Sequence, residues 1–255
     1  EIIKCCQEKE IIFLSTPYNI EDVEFLNDLG VPAFKLASIS VAEPWFAAYT
    51  AKKGKPIILS TGMATIGEVD ETVHAIRETG NDQLIILQCT TNYPSRHEDA
   101  NLLAMQTMQK AFGLQIGYSD HTQDDTACIM SVALGAKVIE KHFTLDRTLP
   151  GPDQSSSYEP KKFSELVRKI RNAEAVLGSE RKEPCEIEKE NAVGMRRSIV
   201  TKANISKGAV ISTEMLTFKR PAAGLAPKFL HEIVGCRARR NIPVNTLIQW
   251  SDIGE

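Results

Sequence analysis

The run Gln115-Ile116-Gly117-Tyr118, continued by Ser119-Asp120-His121-Thr122, and the run Lys137-Val138-Ile139-Glu140, continued by Lys141-His142, decide the fold. Each is a short, largely apolar stretch entered from a helical segment that ends in glycine, Gly113 before the first and Gly135 before the second. This pattern predicts two parallel strands buried on both faces, each with a histidine at or just beyond its C-terminal end. A β/α barrel carries its chemistry at those ends, so adjacent strands would open both imidazoles onto one rim. Two neutral imidazoles a few ångströms apart suit a divalent transition metal and leave coordination positions for water and substrate oxygens. Asp120 and Asp153 are expected close by, in the same rim loops. Either histidine alone is better explained as a hydrogen-bonded rim residue; the pair is what points to a metal. His74, His97 and His231 have no comparable setting and are read as surface or loop residues.

Outward from these runs the same unit recurs. Apolar stretches at Ile11 to Leu14, Ala33 to Ala37, Ile57 to Leu59 and Leu84 to Leu87 precede the two already quoted, with amphipathic helical segments between them. Ile66, Val69, Val73 and Ile76 lead to Gly80, and Val23, Leu26 and Leu29 lead to Gly30, each glycine placed to end a helix. Beyond the sixth strand, Pro160 opens the clearest stripe, Phe163, Leu166, Ile170, Ala173 and Leu177, closed by Gly178. Six β/α units are two short of a closed eight-stranded barrel. The chain also begins Glu1-Ile2-Ile3-Lys4 without methionine. The sheet is therefore expected to be open, or to lack two units at its start.

The pattern changes after residue 178. Residues 179–195 are charged and read as a linker or bridging helix. Residues 196–255 form short strand-like runs, Ser198-Ile199-Val200, Ala209-Val210-Ile211 and Thr246-Leu247-Ile248, separated by turns. Asn204-Ile205 through Ile211 is echoed by Asn241-Ile242 through Ile248, an offset of 241 − 204 = 37 positions. A barrel over 1–178 and a small pseudo-repeated β domain over 196–255 are thus expected.

Thirty basic against 33 acidic residues leave a net charge of −3, with the basic residues dispersed, which gives no reason to expect nucleic acid or a membrane surface. No apolar run approaches the ~20 residues of a bilayer span, and none resembles a signal peptide. The six cysteines lack CxxC spacing and read as free thiols of a cytoplasmic protein, with Cys89 a packing residue.

The expected rim is rich in hydroxyls, with one lysine, Lys35, inside an otherwise apolar run. A barrel lysine can be a Schiff-base nucleophile, a phosphate ligand or a buried salt-bridge partner. The neighbouring Thr16, Ser38 and Ser119 favour anion binding. A metal, a lysine and several hydroxyl donors together suit a phosphorylated or carboxylated substrate meeting a polarised carbonyl.

Taken in order, FLSTPYN, VPAFKLAS, KPIILSTGMAT, LQCTTNYP, IGYSDHT, VIEKHFTLDRTLPGPD and the Lys219-Arg220-Pro221 triplet resemble the sialic acid synthases, which make N-acetylneuraminate, legionaminate and pseudaminate. The resemblance spans essentially the whole chain. It implies a TIM-type β/α barrel, here without its first two units, followed by a SAF domain similar to type III antifreeze proteins, in a domain-swapped homodimer. It also implies condensation of phosphoenolpyruvate with an N-acetylated hexose, N-acetylmannosamine or a 2,4-diacetamido relative, to a nine-carbon keto acid for surface carbohydrate. Implied roles are His121 and His142 for Mn²⁺ or Mg²⁺, Thr16, Lys35, Ser38, Thr91 and Ser119 for phosphoenolpyruvate, and Tyr93 and Asp153 for the sugar. Arg220 is implied to reach the partner's site. Ser40 departs from the family, standing where many members have a glutamate proposed to manage the attacking water. Thr91 stands where some members have asparagine, and Gly194, Met195 and Arg196 where some have an aromatic. An inactive sugar-binding or assembly module and a class II metal-dependent aldolase are the competing readings.

Overall fold

Five of the six apolar runs pair as strands in the computed structural model, which describes residues 1–254. They are β1 (Phe34–Leu36), β2 (Ile57–Ser60), β3 (Leu84–Cys89), β4 (Gln115–Asp120) and β5 (Ile139–Lys141), joined in that order into one parallel sheet. Helices α1 (Ile2–Glu8) and α2 (Ile20–Asp28) precede β1. Helices α3 (Pro44–Ala51), α4 (Ile66–Arg77), α5 (Leu103–Phe112) and α6 (Thr126–Ala133) connect successive strands, and α7 (Pro160–Leu177) follows β5. Pro160 stands at the start of α7, and Gly178 at its end has φ +58°.

Strand alternation divides the sheet's two faces. Phe34, Leu36, Ile57, Leu59 and Ile86 are fully buried against Val23, Phe46, Val69, Val73 and Ile76 of the helices. Burying each such side chain contributes about 1.5–3 kcal/mol, so this layer is the core of the unit. The alternate positions, including Lys35, Ser60 and Ser119, point the other way. At Gly117 a Cβ would lie 2.4 Å from the Val138 carbonyl oxygen and 2.5 Å from Leu87 Cδ2. Only glycine fits there as β4 and β5 close together.

Lys35 lies on one edge strand and Glu140 on the other, yet Lys35 Nζ is 3.3 Å from Glu140 Oε2. Four strand spacings in a flat sheet would separate the edges by roughly 19 Å. The sheet is therefore strongly curled, an α/β barrel-like arrangement with the alternate residues on its concave side.

The run Ile11 to Leu14, expected as a first strand, is not one. Among the described residues it makes no backbone hydrogen bond to the sheet; the nearest, from Lys35 N–H at 3.5 Å, goes to the carbonyl of Ser15 just past its end, and Ile11 and Ile12 are 64% and 74% exposed. Phe13 alone packs on the core. With no ladder on either side, an apolar run remains extended chain.

The chain divides into units Glu1–Gly178 and Ser179–Glu255. In the second, the charged segment contains helix α8 (Glu186–Met195), followed by β6 (Ser198–Thr201) antiparallel to β7 (Leu216–Lys219), then α9 (Leu230–Ile233), and β8 (Arg237–Ala238) antiparallel to β9 (Ile253–Gly254). The echoed halves meet one another. Ile205 and Ile242 exchange both backbone hydrogen bonds at 2.8 Å, the Asn241 side chain accepts from Lys207 N–H, and the Asn204 side chain accepts from Val244 N–H, each at 2.8 Å. The runs expected as strands at 209–211 and 246–248 are held instead by isolated bridges, Val210 to Arg237 and Val200 to Leu247. Glu255, the last residue of the expected domain, lies outside the described residues.

No helix among the described residues is long and apolar enough to cross a membrane. All six cysteines are free.

Candidate active site

On β4 and β5 the residues alternate between the two sides of the sheet, and this alternation assembles the site. Ser119 and His121 share one parity, as do Glu140 and His142, and all four line a cavity of about 150 Å³. The two imidazole rings are 5.1 Å apart between centroids. The Tyr93 ring, from the loop after β3, lies 4.2 Å from His121 and 5.4 Å from His142. His121 is almost fully buried, and its Nδ1 is 2.9 Å from the Thr90 carbonyl oxygen. A carbonyl only accepts, so Nδ1 carries the proton and Nε2 keeps its lone pair free. Burial lowers the His121 pKa, and the neighbouring His142 adds to this against the opposing Thr90 hydrogen bond. The imidazole is neutral at neutral pH, the form that binds a metal. No group of three or more His, Cys, Asp or Glu placed to hold a metal exists among the described residues. A cation here would have two imidazoles and otherwise water or substrate oxygens.

Asp153 Oδ2 is 4.0 Å from His142 Nδ1, which sets this sugar candidate beside the histidine pair. Burial, then the nearby Cys89, Asp153 and Glu140, raise the Tyr93 pKa, so its hydroxyl remains a hydrogen-bond donor. Cys89 is buried, with Sγ 4.0 Å from His121 Nδ1. It therefore packs beneath the site as well as in the core.

Of the expected anion ligands, Lys35 and Ser119 meet at Glu140, and Ser38 and Thr91 meet at Gly62. Lys35 Nζ donates to the Leu36 carbonyl at 2.9 Å and Ser60 Oγ at 2.8 Å, and pairs with Glu140 at 3.3 Å. Ser119 Oγ donates to Glu140 Oε1 at 2.6 Å. Ser38 Oγ accepts from Gly62 N–H at 2.9 Å, and Thr91 Oγ1 also borders Gly62. Thr16 is half-buried just ahead of α2. Arg220 follows β7 in the second unit and is exposed. Ser40, where the sequence departs from the family pattern, is buried in the short turn Ser38–Ala42.

Asp120 corrects one expectation. It lies on β4 rather than in a rim loop, and its carboxylate turns away from the histidines. There it pairs with Lys141 Nζ at 2.6 Å, with both side chains buried, and accepts from Thr122 N–H at 2.9 Å and Cys128 Sγ at 3.1 Å. Lys141 also donates to the Thr122 carbonyl and lies 4.4 Å from the centroid of the Tyr158 ring. The buried acid is fully partnered and has no capacity left for a metal.

Sequence reasoning missed Glu140, whose carboxylate joins Lys35 to Ser119. The sequence pattern presents it only as the end of a strand. Its parity with His142 is the signal that places it on the concave face.

Residues 1–182 match the NeuB family and residues 196–254 match the SAF domain. An uncharacterized protein of Methanocaldococcus jannaschii is 42% identical over 99% of this chain and 75% of its own length. The N,N'-diacetyllegionaminic acid synthase of Legionella pneumophila is 41% identical over 95% of this chain and 69% of its own. Among solved structures, the spore coat polysaccharide biosynthesis protein SpsE of Bacillus subtilis superposes with a TM-score of 0.67 at 36% identity, covering all of this chain and 76% of that one.

Proposed function

The chain belongs to the NeuB family, and on that premise we propose that it is a sugar acid synthase joining phosphoenolpyruvate to an N-acetylated hexose, N-acetylmannosamine or a 2,4-diacetamido relative. The observation that carries the reading is one concave face on which two histidine rings 5.1 Å apart share a cavity with Ser119 and Glu140, and Lys35 lies 3.3 Å from Glu140.

Lys35 and Ser119, with Ser38, Thr91 and Thr16, supply the positive charge and neutral donors for the phosphate and carboxylate of phosphoenolpyruvate. His121 and His142 would hold Mn²⁺ or Mg²⁺, which supplies Lewis acidity toward the sugar aldehyde when bound. The Thr90 carbonyl fixes the tautomer of His121, keeping Nε2 available as a ligand. Tyr93 donates a hydrogen bond to the sugar and Asp153 accepts one from a sugar hydroxyl. In the overall reaction a carbon–carbon bond forms between the phosphoenolpyruvate methylene and the aldehyde carbon, water adds at the phosphate-bearing carbon, and that C–O bond breaks to release phosphate. Arg220 as a further sugar contact, and a homodimer, belong to the same proposal.

Phosphate release from phosphoenolpyruvate with Mn²⁺ and an N-acetylated hexosamine tests it, with product mass identifying the sugar. Release dependent on the sugar is expected. Sugar cleavage that leaves phosphoenolpyruvate intact would point to an aldolase. Replacing His121 and His142 with alanine is expected to abolish both Mn²⁺ binding and release; retention of both removes the metal assignment.

A further inference from the structure

Two donors of the expected anion subsite, Lys35 and Ser119, are already engaged inside the protein. The Lys35 ammonium donates to the Leu36 carbonyl and Ser60 Oγ and pairs with the Glu140 carboxylate at 3.3 Å, and the single hydroxyl proton of Ser119 also goes to Glu140. Lys35 and Ser119 are nearly buried, while the Glu140 side chain is 40% exposed and long enough to swing out. Of the groups holding these donors, only Glu140 carries charge and has freedom to leave. We propose that Glu140 is an intramolecular competitor, a built-in carboxylate that occupies the oxyanion subsite and must be displaced before an anionic substrate is received.

The proposal rests on the functional reading only in taking Lys35 and Ser119 as anion ligands. It predicts how affinity changes, because displacement carries one fixed cost whatever anion arrives. Removing Glu140 should therefore tighten mono- and dianions by the same factor. A carboxylate acting only through its field would instead penalise a dianion more than a monoanion. Reach matters as well as charge. An aspartate at 140, one methylene shorter, keeps the charge but cannot span Lys35 and Ser119 together.

The test is calorimetric titration of the full chain with inorganic phosphate and with acetate, without divalent metal. Glu140→Gln should bind both anions at least tenfold more tightly than wild type, with the phosphate-to-acetate ratio unchanged. Glu140→Asp should also tighten both, and it carries the test if Glu140→Gln fails to fold. Adding Lys35→Met to either variant should abolish the gain. Unchanged or weaker binding in the 140 variants overturns the proposal, as does tightening confined to phosphate. Tighter binding of both anions without turnover of phosphoenolpyruvate would preserve this inference and remove the synthase reading. Absence of anion binding in wild type and variants alike would remove both.

Discussion

Asp120 and Lys141 form a buried ion pair at 2.6 Å, and each immediately precedes one histidine of the pair, Asp120 before His121 and Lys141 before His142. The pair ties the ends of β4 and β5 together from behind the site. It therefore sets the distance between two side chains it never touches. Lys141→Met leaves the Asp120 charge buried and unpaired and is expected to cost about 3–5 kcal/mol in urea unfolding. Asp120→Asn combined with Lys141→Met should recover most of that stability, while Mn²⁺ affinity measured by titration stays about 10–100-fold below wild type. Recovery of affinity together with stability would show that the pair is structural alone.

Gly62 lies where the Ser38 and Thr91 side chains converge. A Cβ would sit 2.3 Å from Thr91 Oγ1, 2.9 Å from Ser38 Oγ and 3.3 Å from Cys89 Sγ. Gly62→Ala should therefore displace both hydroxyls, raising KM for phosphoenolpyruvate and costing about 1–3 kcal/mol of stability. Adding Thr91→Ala removes the worst clash, and is expected to restore the melting temperature but not KM.

The Asp124 carboxylate accepts the Thr126 N–H at 2.8 Å at the start of α6 and approaches His97 at 3.0 Å. The Thr126 hydrogen bonds, with a smaller contribution from His97 against the opposing effect of burial, lower its pKa from 3.8 to about 2. A carboxylate with a lowered folded-state value contributes stability that is complete above about 3.8 and lost as pH falls through about 2. Asp124→Asn keeps an acceptor but cannot ionise. The stability difference between wild type and Asp124→Asn, followed by thermal melts, should hold from pH 5 to about 3.8 and shrink from there towards pH 2; a constant difference across the whole range would contradict this assignment.

In the second unit, Asn204 and Asn241 each accept a backbone N–H from the opposite half of the repeat at the same 2.8 Å. Asn204→Ala and Asn241→Ala should cost equal amounts, about 0.5–1.5 kcal/mol each in chemical denaturation. A loss confined to one of them would show that the repeat is not energetically symmetric.

Strands β1 to β5 were legible because apolar runs between amphipathic helices can be buried only in a parallel sheet. The two histidines were legible because they end such runs. Ile11 to Leu14 looked the same locally, but strand formation depends on neighbours that a linear pattern does not display. Asp120 and Glu140 were misjudged for a related reason. Adjacent residues on a strand face opposite sides, so nearness in sequence to a histidine puts Asp120 and Lys141 behind the sheet, while Glu140, two positions before His142, faces the site. The link from Glu140 to Lys35 depends on curvature, which no single segment encodes.

That link also bears on the order in which the molecule comes together. Neighbouring strands can pair across one helix and two short connections, but Lys35 and Glu140 meet only after every intervening strand is in register, the longest loop closure in the sheet. A partly folded chain can hold its helices and several paired strands while its lysine and carboxylate remain far apart. The contact between Lys35 and Glu140 is thus among the last features to form, and its appearance marks completion of the sheet.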